Sequence, residues 1–216
     1  MRPRLLDLFC GAGGAAVGYH RAGFDVTGVD VKPQPRYPFA FVQADALDYL
    51  AGHGHEYDAV HASPPCQAYL RYWMVAKDGR HPDLLGPTRA ALLSSGRPWV
   101  IENVVGAPFA HYVQLCGTMF GLRVYRHRRF ETSWLLMQPE HPPHLVKIGS
   151  RLRQPKAHFL AGGWVSIAGN IGSFPASAMG IDWMTGDELS QAIPPAYTEW
   201  IGKHLLAVVE AGTPAA

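Results

Sequence analysis

The chain has 216 residues, of which 48% are hydrophobic and 17% charged, and a formal net charge of +2. This composition predicts one globular domain, or one domain with a small appendage, and argues against wholesale disorder. No apolar run approaches the ~20 residues that span a bilayer, so we expect no membrane partner. The widely spaced Cys10, Cys66 and Cys116 predict free thiols in a reducing cytoplasm, that of a prokaryote or a phage host. The composition leaves the oligomeric state open, and we favour a monomer.

Short apolar runs alternate with helical stretches over the first half of the chain. The predicted strands cover 5–9, 26–29, 39–43, 57–62 and 99–101, and the predicted helices run from the first glycine-rich loop to about residue 21 and over 88–95. A last helix is predicted over 196–209. This alternation is typical of an α/β fold with a doubly wound, mostly parallel, Rossmann-like sheet.

The regular pattern ends near residue 123. We therefore predict a catalytic and cofactor-binding domain over 1–122, a small, basic, loop-rich target-recognition region over 123–187, and a segment over 188–211 that returns to the catalytic domain. The middle region has a surplus of cations, namely Arg123, Arg126, Arg128, Arg129, Lys147, Arg151, Arg153 and Lys156. Such a surplus suits a face that contacts phosphates, and it equally suits a solvated basic surface.

Polar side chains fall where the predicted strands end. Asp30, Asp45, Cys66 and Glu102 each lie at, or just after, the carboxyl end of a strand. In open α/β sheets, ligands bind at that edge. The sequence therefore predicts a ligand site along one edge of the sheet.

The first glycine-rich loop predicts an adenosine-containing cofactor. Gly11, Gly13 and Ala16 fit the G-x-G-x-x-G/A pattern, and Asp30 lies near the spacing of a ribose-binding acid. A nicotinamide cofactor and S-adenosylmethionine both fit this pattern. Asp45 is either an acceptor for the adenine amino group or a helix cap.

Cys66 has the stronger chemical signal. Pro64 and Pro65 restrict the backbone just before it, so its thiol is directed from the end of a buried strand toward the cleft. A thiolate there would be a nucleophile, whereas the alternative is a buried structural cysteine. Glu102 ends the next predicted strand and is either an acid in the same site or a cap or surface residue.

These strings together resemble the cytosine carbon-5 methyltransferases and follow one another in that family's order. The resemblance rests on Asp7-Leu8-Phe9-Cys10-Gly11-Ala12-Gly13-Gly14, Gly28-Val29-Asp30, Asp45, Ser63-Pro64-Pro65-Cys66-Gln67, Glu102-Asn103-Val104, Arg126-His127-Arg128 and Ala192-Ile193-Pro194-Pro195-Ala196. It implies S-adenosylmethionine as cofactor, held by Asp7, Phe9, Gly11, Gly13, Gly14, Asp30, Asp45, Pro65 and Gln191. It implies catalysis by Cys66, Glu102, Arg126 and Arg128.

The resemblance implies methyl transfer to carbon 5 of a flipped-out cytosine in double-stranded DNA, through a Cys66 adduct at carbon 6. The same chemistry on RNA stays an alternative. So does a modified cofactor group, since Gln191 stands where the family has asparagine. A catalytically silent DNA-binding relative would not need Cys66, Glu102 and Arg128 together, and a dehydrogenase would leave Cys66 unexplained. No metal site is expected, because His141 and His144 lack a second close pair of ligands beyond Cys116.

Overall fold

The structure is a computed structural model that describes residues 1–69, 82–144, 158–160, 164–166 and 176–212, with the backbone alone for 158–160, 164–166 and 176. The cations Lys147, Arg151, Arg153 and Lys156 of the predicted target-recognition region lie outside the described residues. Within the described parts of the chain, no helix has both the length and the apolar character needed to cross a membrane.

A seven-stranded sheet forms the centre of the protein, with helices on both sides. Its strands are β1 (Arg4–Leu8), β2 (Asp25–Asp30), β3 (Ala40–Gln43), β4 (Ala59–Ala62), β5 (Trp99–Asn103), β6 (Val113–Leu115) and β8 (Arg128–Thr132). They lie in the order β3-β2-β1-β4-β5-β8-β6, and β8 alone runs in the opposite direction to the other six. The predicted fold class, a mostly parallel α/β sheet, is confirmed.

Five α-helices, four short 3-10 helices (Gly54–Glu56, Gln67–Tyr69, Gly117–Phe120 and Ala176–Met179) and a second sheet complete the described elements. The helices are α1 (Gly14–Ala22), α2 (Ala46–His53), α3 (Leu85–Ser95), α4 (Gly186–Gln191) and α5 (Pro195–Glu210). The second sheet has three strands in the order β7-β10-β9, formed by β7 (Val124–Tyr125), β9 (His158–Leu160) and β10 (Trp164–Ser166).

The first strands are apolar because both of their faces are buried. In β1, Leu5 and Leu6 are fully buried on opposite faces and belong to two different core clusters. One cluster includes Tyr19 of α1 and Tyr197 of α5, and the other includes residues of α2 and α3. This two-sided burial is why the strand sequences are nearly continuous apolar runs.

The carboxyl-terminal segment returns to the sheet through α5, which packs along α1. Pro195 occupies the first turn of α5, where its missing N–H costs no hydrogen bond. Thr198 Oγ1 donates to the Ala15 carbonyl at 2.9 Å. The end of the chain thereby contacts the helix that follows the first glycine-rich loop.

The strand β8 was not predicted, and neither were β6, β7, α2 and α4. β8 has the sequence Arg-Arg-Phe-Glu-Thr, in which only Phe130 is buried. Because β8 pairs with β5 and β6 in the main sheet, a part of the chain beyond residue 122 belongs to that sheet. The division into domains at residue 123 stays a prediction.

Candidate active site

The loop after β1 turns sharply beneath the carboxyl edge of the sheet. Phe9, Gly11 and Gly13 have φ values of 56°, 48° and 86°. A left-handed backbone is easy for glycine and rare for phenylalanine, so the loop is held in this shape by its surroundings. A Cβ atom added to Gly11 would meet nothing within 4 Å, which leaves open space beside the loop at that point.

Asp30 and Asp45 end their strands as predicted, and both carboxylates accept backbone hydrogen bonds. Asp30 accepts from the amides of Gly11, at 3.1 Å, and Lys32, at 2.9 Å. Asp45 Oδ1 caps α2 by accepting from the amides of Leu47 and Asp48. The second oxygen of Asp45 is left for another donor. Both acids therefore shape the edge of the sheet, and their contact with a cofactor stays a prediction.

The segment around α4 packs against the glycine-rich loop. A Cβ atom on Gly14 would lie 2.5 Å from the Ile193 carbonyl oxygen, so only glycine fits there. Trp183 Nε1 donates to the Ala12 carbonyl at 2.8 Å. Gln191 is exposed at the end of α4. The glycine-rich loop thus contacts the segment over 188–211, called the closing segment below.

Asp7 lies beneath the loop and is fully buried. Tyr37 donates a hydrogen bond from its hydroxyl to Asp7 Oδ2 at 3.3 Å. Burial raises the pKa of Asp7 to about 8, against the lowering effect of the Tyr37 hydrogen bond. Direct contact between Asp7 and a cofactor would require Tyr37 to move, and this contact stays a prediction.

The loop that carries Cys66, the predicted nucleophile loop (residues 63–67), follows β4 and is tied to β5. Asn103 Nδ2 donates to the Pro64 carbonyl at 2.9 Å, and this bond is buried. Cys66 itself is partly exposed. Burial raises the pKa of its thiol, Arg128 and Arg126 lower it, and Glu102 raises it. The free thiol is therefore protonated at neutral pH, beside two cations that favour the thiolate.

Glu102 and Arg128 form an ion pair in this site. Arg128 Nε lies 3.0 Å from Glu102 Oε1. β5 and β8 are antiparallel and Glu102 pairs with Phe130, so Arg128 is the diagonal neighbour of Glu102 on the same face of the sheet. Burial raises the pKa of Glu102, while Arg128, Arg126 and a hydrogen bond with Ser63 lower it. The result is a raised pKa, which suits a carboxyl that holds a proton.

A chain of buried polar groups leads to Glu102 from beneath the sheet. The Tyr19 hydroxyl lies 2.9 Å from His61 Nδ1, and His61 Nε2 lies 2.9 Å from Ser63 Oγ. Burial lowers the pKa of His61 to about 3, so the imidazole is neutral. We infer that Tyr19 donates to Nδ1, that Nε2–H donates to Ser63, and that Ser63 donates to Glu102.

Arg126 has a more internal position than Arg128. It is 2% exposed, and its Nη2 donates to the Ser190 carbonyl at 2.7 Å. The Tyr197 hydroxyl donates to the Arg126 carbonyl at 2.6 Å. Burial and the charge of Arg128 lower the pKa of Arg126 to about 9. These contacts fix Arg126-His127-Arg128, called the arginine segment below, against α4 and α5.

The predicted site residues therefore form two groups along one edge of the sheet. Cys66, Glu102 and Arg128 are close enough for their charges to interact, with Arg126 behind them. The predicted cofactor residues lie at the ends of β1, β2, β3 and β4, and Gln191 lies in the closing segment, at the end of α4.

Sequence reasoning missed the bonds made by Tyr19, His61, Ser63 and Asn103. A signal was present for His61, because a histidine inside a buried apolar strand needs polar partners. Asn103 and Ser63 belong to two of the motifs that carry the resemblance. Their hydrogen bonds depend on how neighbouring strands pair, so they could not be inferred from the order of residues.

The residues along this edge fit S-adenosylmethionine. The open space beside Gly11 lies next to the Asp30 carboxylate, which can accept from ribose hydroxyls. Asp45 has one oxygen available for an amino group. The donor and acceptor set is therefore that of an adenosine site.

Comparison with known proteins gives partial sequence matches and a match of fold. No family model matches the chain. It is 33% identical over 122 residues to type II methyltransferase M.XorII of Xanthomonas oryzae pv. oryzae, a match that covers 49% of this chain and 29% of that protein. The chain thus matches less than a third of the length of this curated relative.

Two solved structures are similar over nearly the whole chain. The Entamoeba histolytica methyltransferase EhMeth has a TM-score of 0.60 at 12% identity, covering 96% of this chain and 98% of that chain. The S. pombe Dnmt2 methyltransferase has a TM-score of 0.57 at 13% identity, covering 98% of this chain and 100% of that chain. At these identities the similarity establishes the fold. The partial sequence match and the shared fold indicate that this chain is a distant homologue of these methyltransferases, and its ordered motifs resemble those of the cytosine carbon-5 methyltransferases.

Proposed function

We propose that this chain transfers a methyl group from S-adenosylmethionine to carbon 5 of a cytosine in double-stranded DNA, with Cys66 bonded covalently to carbon 6. The observation that carries this proposal is the buried Glu102–Arg128 pair, which lies beside the Cys66 thiol. An acid with a raised pKa, a cation and a nucleophile are the groups that addition to a pyrimidine requires.

The cofactor is assigned to the carboxyl edge of β1 to β4. Asp30 and Asp45 would accept hydrogen bonds from the adenosine, and Phe9 and Pro65 would contact it from the neighbouring loops. Gly11 keeps the loop free of a side chain on its open side, whereas Gly13 and Gly14 let the loop pack closely against Tyr37 and Ile193. Gln191 would approach from the closing segment. When bound, S-adenosylmethionine supplies an electrophilic methyl group.

Cys66 makes the target carbon reactive. Carbon 5 of cytosine is a weak nucleophile, so Sγ first bonds to carbon 6 and the thiol proton leaves to solvent. The electron pair of the carbon 5–carbon 6 bond then makes carbon 5 electron-rich. After methylation, a base such as water removes the carbon-5 proton, and the electron pair of that carbon–hydrogen bond restores the carbon 5–carbon 6 double bond. The Sγ–carbon 6 bond breaks at the same time, and its electron pair leaves with sulfur. The thiolate is regenerated.

Glu102 and Arg128 stabilise the charge that this addition creates. The negative charge develops toward ring nitrogen 3, where the protonated Glu102 carboxyl would donate its hydrogen. Arg128 would donate to the ring carbonyl with a planar guanidinium that is already held in place by Glu102. Arg126 is buried against Ser190, so we assign it to positioning the arginine segment and to favouring the Cys66 thiolate.

Double-stranded DNA requires the cytosine to leave the helix. The reacting ring is stacked in a duplex, and flipping it out costs roughly a few kcal/mol. Cations near the site would hold the phosphate backbone during this step. Arg123 is exposed and suits this role. We propose DNA first, and we make RNA one arm of the test.

The test uses duplex DNA and RNA transcripts with methyl-labelled S-adenosylmethionine, followed by digestion to nucleosides. A second DNA carries 5-fluorocytosine, which has no carbon-5 proton to lose and therefore holds the enzyme in its covalent adduct. We expect label in 5-methyldeoxycytidine and a stable protein–DNA band on a denaturing gel. Both should be lost in Cys66→Ser.

Other outcomes would overturn specific parts of the proposal. Label found only in RNA would exclude DNA as the substrate while leaving the chemistry in place. A covalent band that survives in Cys66→Ser would exclude Cys66 as the nucleophile. Binding of cofactor and DNA without transfer of label to either nucleic acid would make the chain a silent relative.

A further inference from the structure

Four side chains that commonly bind metals meet next to the arginine segment. Cys116 follows β6, His127 lies between β7 and β8, and His141 and His144 lie in the segment after β8. One ligand atom from each of the four lies within 4.8 Å of the ligand atoms of the other three. The sequence provided only the His141–His144 pair at short range.

The pairing of β6 with β8 explains how the second pair forms. Leu115 at the end of β6 pairs with Arg128 at the start of β8, and continuing this antiparallel register by one position would place Cys116 opposite His127. The chain then passes along β8 and returns with His141 and His144. Residues from three separate parts of the sequence are thereby brought together.

Two of the six ligand–ligand distances in this cluster match the edges of a tetrahedral site, and the other four are at most 4.8 Å. Cys116 Sγ lies 3.6 Å from His144 Nε2, and His127 Nε2 lies 3.2 Å from His141 Nε2. With zinc–sulfur bonds of about 2.3 Å and zinc–nitrogen bonds of about 2.0–2.1 Å, a tetrahedron has sulfur–nitrogen edges of about 3.6 Å and nitrogen–nitrogen edges of about 3.3 Å. A single ion would thus contact all four atoms after small shifts.

We propose that Cys116, His127, His141 and His144 bind one zinc ion in a four-coordinate structural site. A thiolate with three imidazoles favours zinc over magnesium or calcium, which prefer oxygen ligands. Because the protein supplies all four ligands, no position is left for water or substrate, and the site is structural.

The zinc site would hold the arginine segment in place. His127 lies between Arg126 and Arg128, so a ligand bond to its ring restrains the backbone that presents both guanidinium groups. The same ion joins this segment to the end of β6 and to the chain that leads into the basic region. The proposal is independent of the reaction, because it rests on ligand geometry alone.

The test measures metal binding by the full chain. Protein expressed with zinc is analysed by elemental mass spectrometry, stripped with a chelator, and titrated with cobalt(II). We expect about one zinc per chain, and a cobalt spectrum with tetrahedral d–d bands and a thiolate charge-transfer band. Zinc affinity should fall in Cys116→Ser and in His141→Ala by more than the ~10–100-fold that loss of an outer-sphere partner costs.

The control is His204→Ala, which removes one exposed imidazole from α5 and should leave zinc binding unchanged. If either cluster variant fails to fold, the titration of the unaltered chain decides the question. Absence of both zinc and the cobalt bands in that chain would overturn the proposal. So would a charge-transfer band that persists in Cys116→Ser, or an equal loss of binding in His204→Ala.

Discussion

Arg128 Nε lies 3.0 Å from Glu102 Oε1, and the two side chains are only 14% and 8% exposed. Solvent screens such a pair much less than it screens a surface ion pair. Burial nevertheless dominates the pKa of Glu102, which is raised even beside two arginines. Glu102 therefore holds a proton more readily than an exposed carboxyl does, and the neighbouring arginines limit this effect.

Replacing Ser63 should shift the pH dependence of methyl transfer. The Ser63 hydroxyl lowers the pKa of Glu102, so Ser63→Ala should raise it. Because protonated Glu102 is the proposed donor to nitrogen 3, the alkaline limb of the rate profile should move to higher pH. Single-turnover rates across pH measure this. Ser94→Ala, at an exposed position of α3, should leave the profile unchanged, and an unmoved limb in Ser63→Ala would contradict the prediction.

Loss of the Asn103 side chain should slow the reaction through the nucleophile loop. Asn103→Ala removes the buried bond to the Pro64 carbonyl and should cost about 1–3 kcal/mol in the free energy of unfolding. A displaced Cys66 should lower kcat by about 10–100-fold, with a smaller effect on KM for DNA.

The control for Asn103 is Gln43→Ala, which removes an exposed amide that also donates to a backbone carbonyl. Its stability should change by less than about 0.5 kcal/mol. Denaturant titration and steady-state kinetics measure both variants. Equal effects in the two variants would show that the Pro64 bond has no special importance.

Gly14 and Gly52 should respond in opposite directions to alanine. A Cβ on Gly14 would lie 2.5 Å from the Ile193 carbonyl, so Gly14→Ala should destabilise the fold by about 1–3 kcal/mol and weaken cofactor binding. Gly52 lies in α2 with nothing within 4 Å of an added Cβ, so Gly52→Ala should stabilise by about 0.5–1 kcal/mol. Denaturation midpoints of the two variants measure both changes in stability. A Gly14→Ala protein as stable as the unaltered chain would rule out the close contact.

Asp7 should make the stability of the protein depend on pH. Burial raises its pKa from 3.8 to about 8. Below pH 3.8 both the folded and unfolded states hold the proton, and stability is unaffected. As pH rises toward 8, the unfolded state loses the proton while the folded state keeps it, so stability falls. Above that value the loss is complete.

Asp7→Asn removes this dependence, so its advantage in Tm over the unaltered chain should grow across the same pH range. Thermal melts at several pH values, without cofactor, provide the measurement. The exposed Asp25→Asn variant is the control. Parallel Tm curves for Asp7→Asn and the unaltered chain would show that Asp7 has no such effect.

Sequence reasoning was most successful where burial determines composition. β1 and β4 are buried on both faces, so their apolar runs were visible, and the polar residues at their ends marked the edge of the sheet. β8 escaped prediction because four of its five residues are only partly buried and polar. Its identity as a strand depends on pairing with β5 and β6, which local sequence does not reveal.

The site shows the same division. Cys66 and Glu102 could be proposed from short strings, whereas the 3.0 Å approach of Arg128 to Glu102 depends on the register of β5 against β8. The His127–Cys116 pairing was also hidden, because it follows from the register of β6 against β8. Which side chains lie next to each other across antiparallel strands from distant parts of the chain cannot be predicted from residue spacing alone.

Because β8 pairs antiparallel with β5, the Glu102–Arg128 distance depends on the pairing of the two strands and not on the length of the chain between them. Glu102 is near the end of its strand and Arg128 at the start of its own, and backbone hydrogen bonds set their separation. The connection from residue 104 to 112 could therefore lengthen without altering the distance between the two charges, provided that Ala107 and Phe109 keep their buried positions. Electrostatic stabilisation of this kind is in place before the substrate binds, so no reorganisation of the pair is needed when the reaction begins.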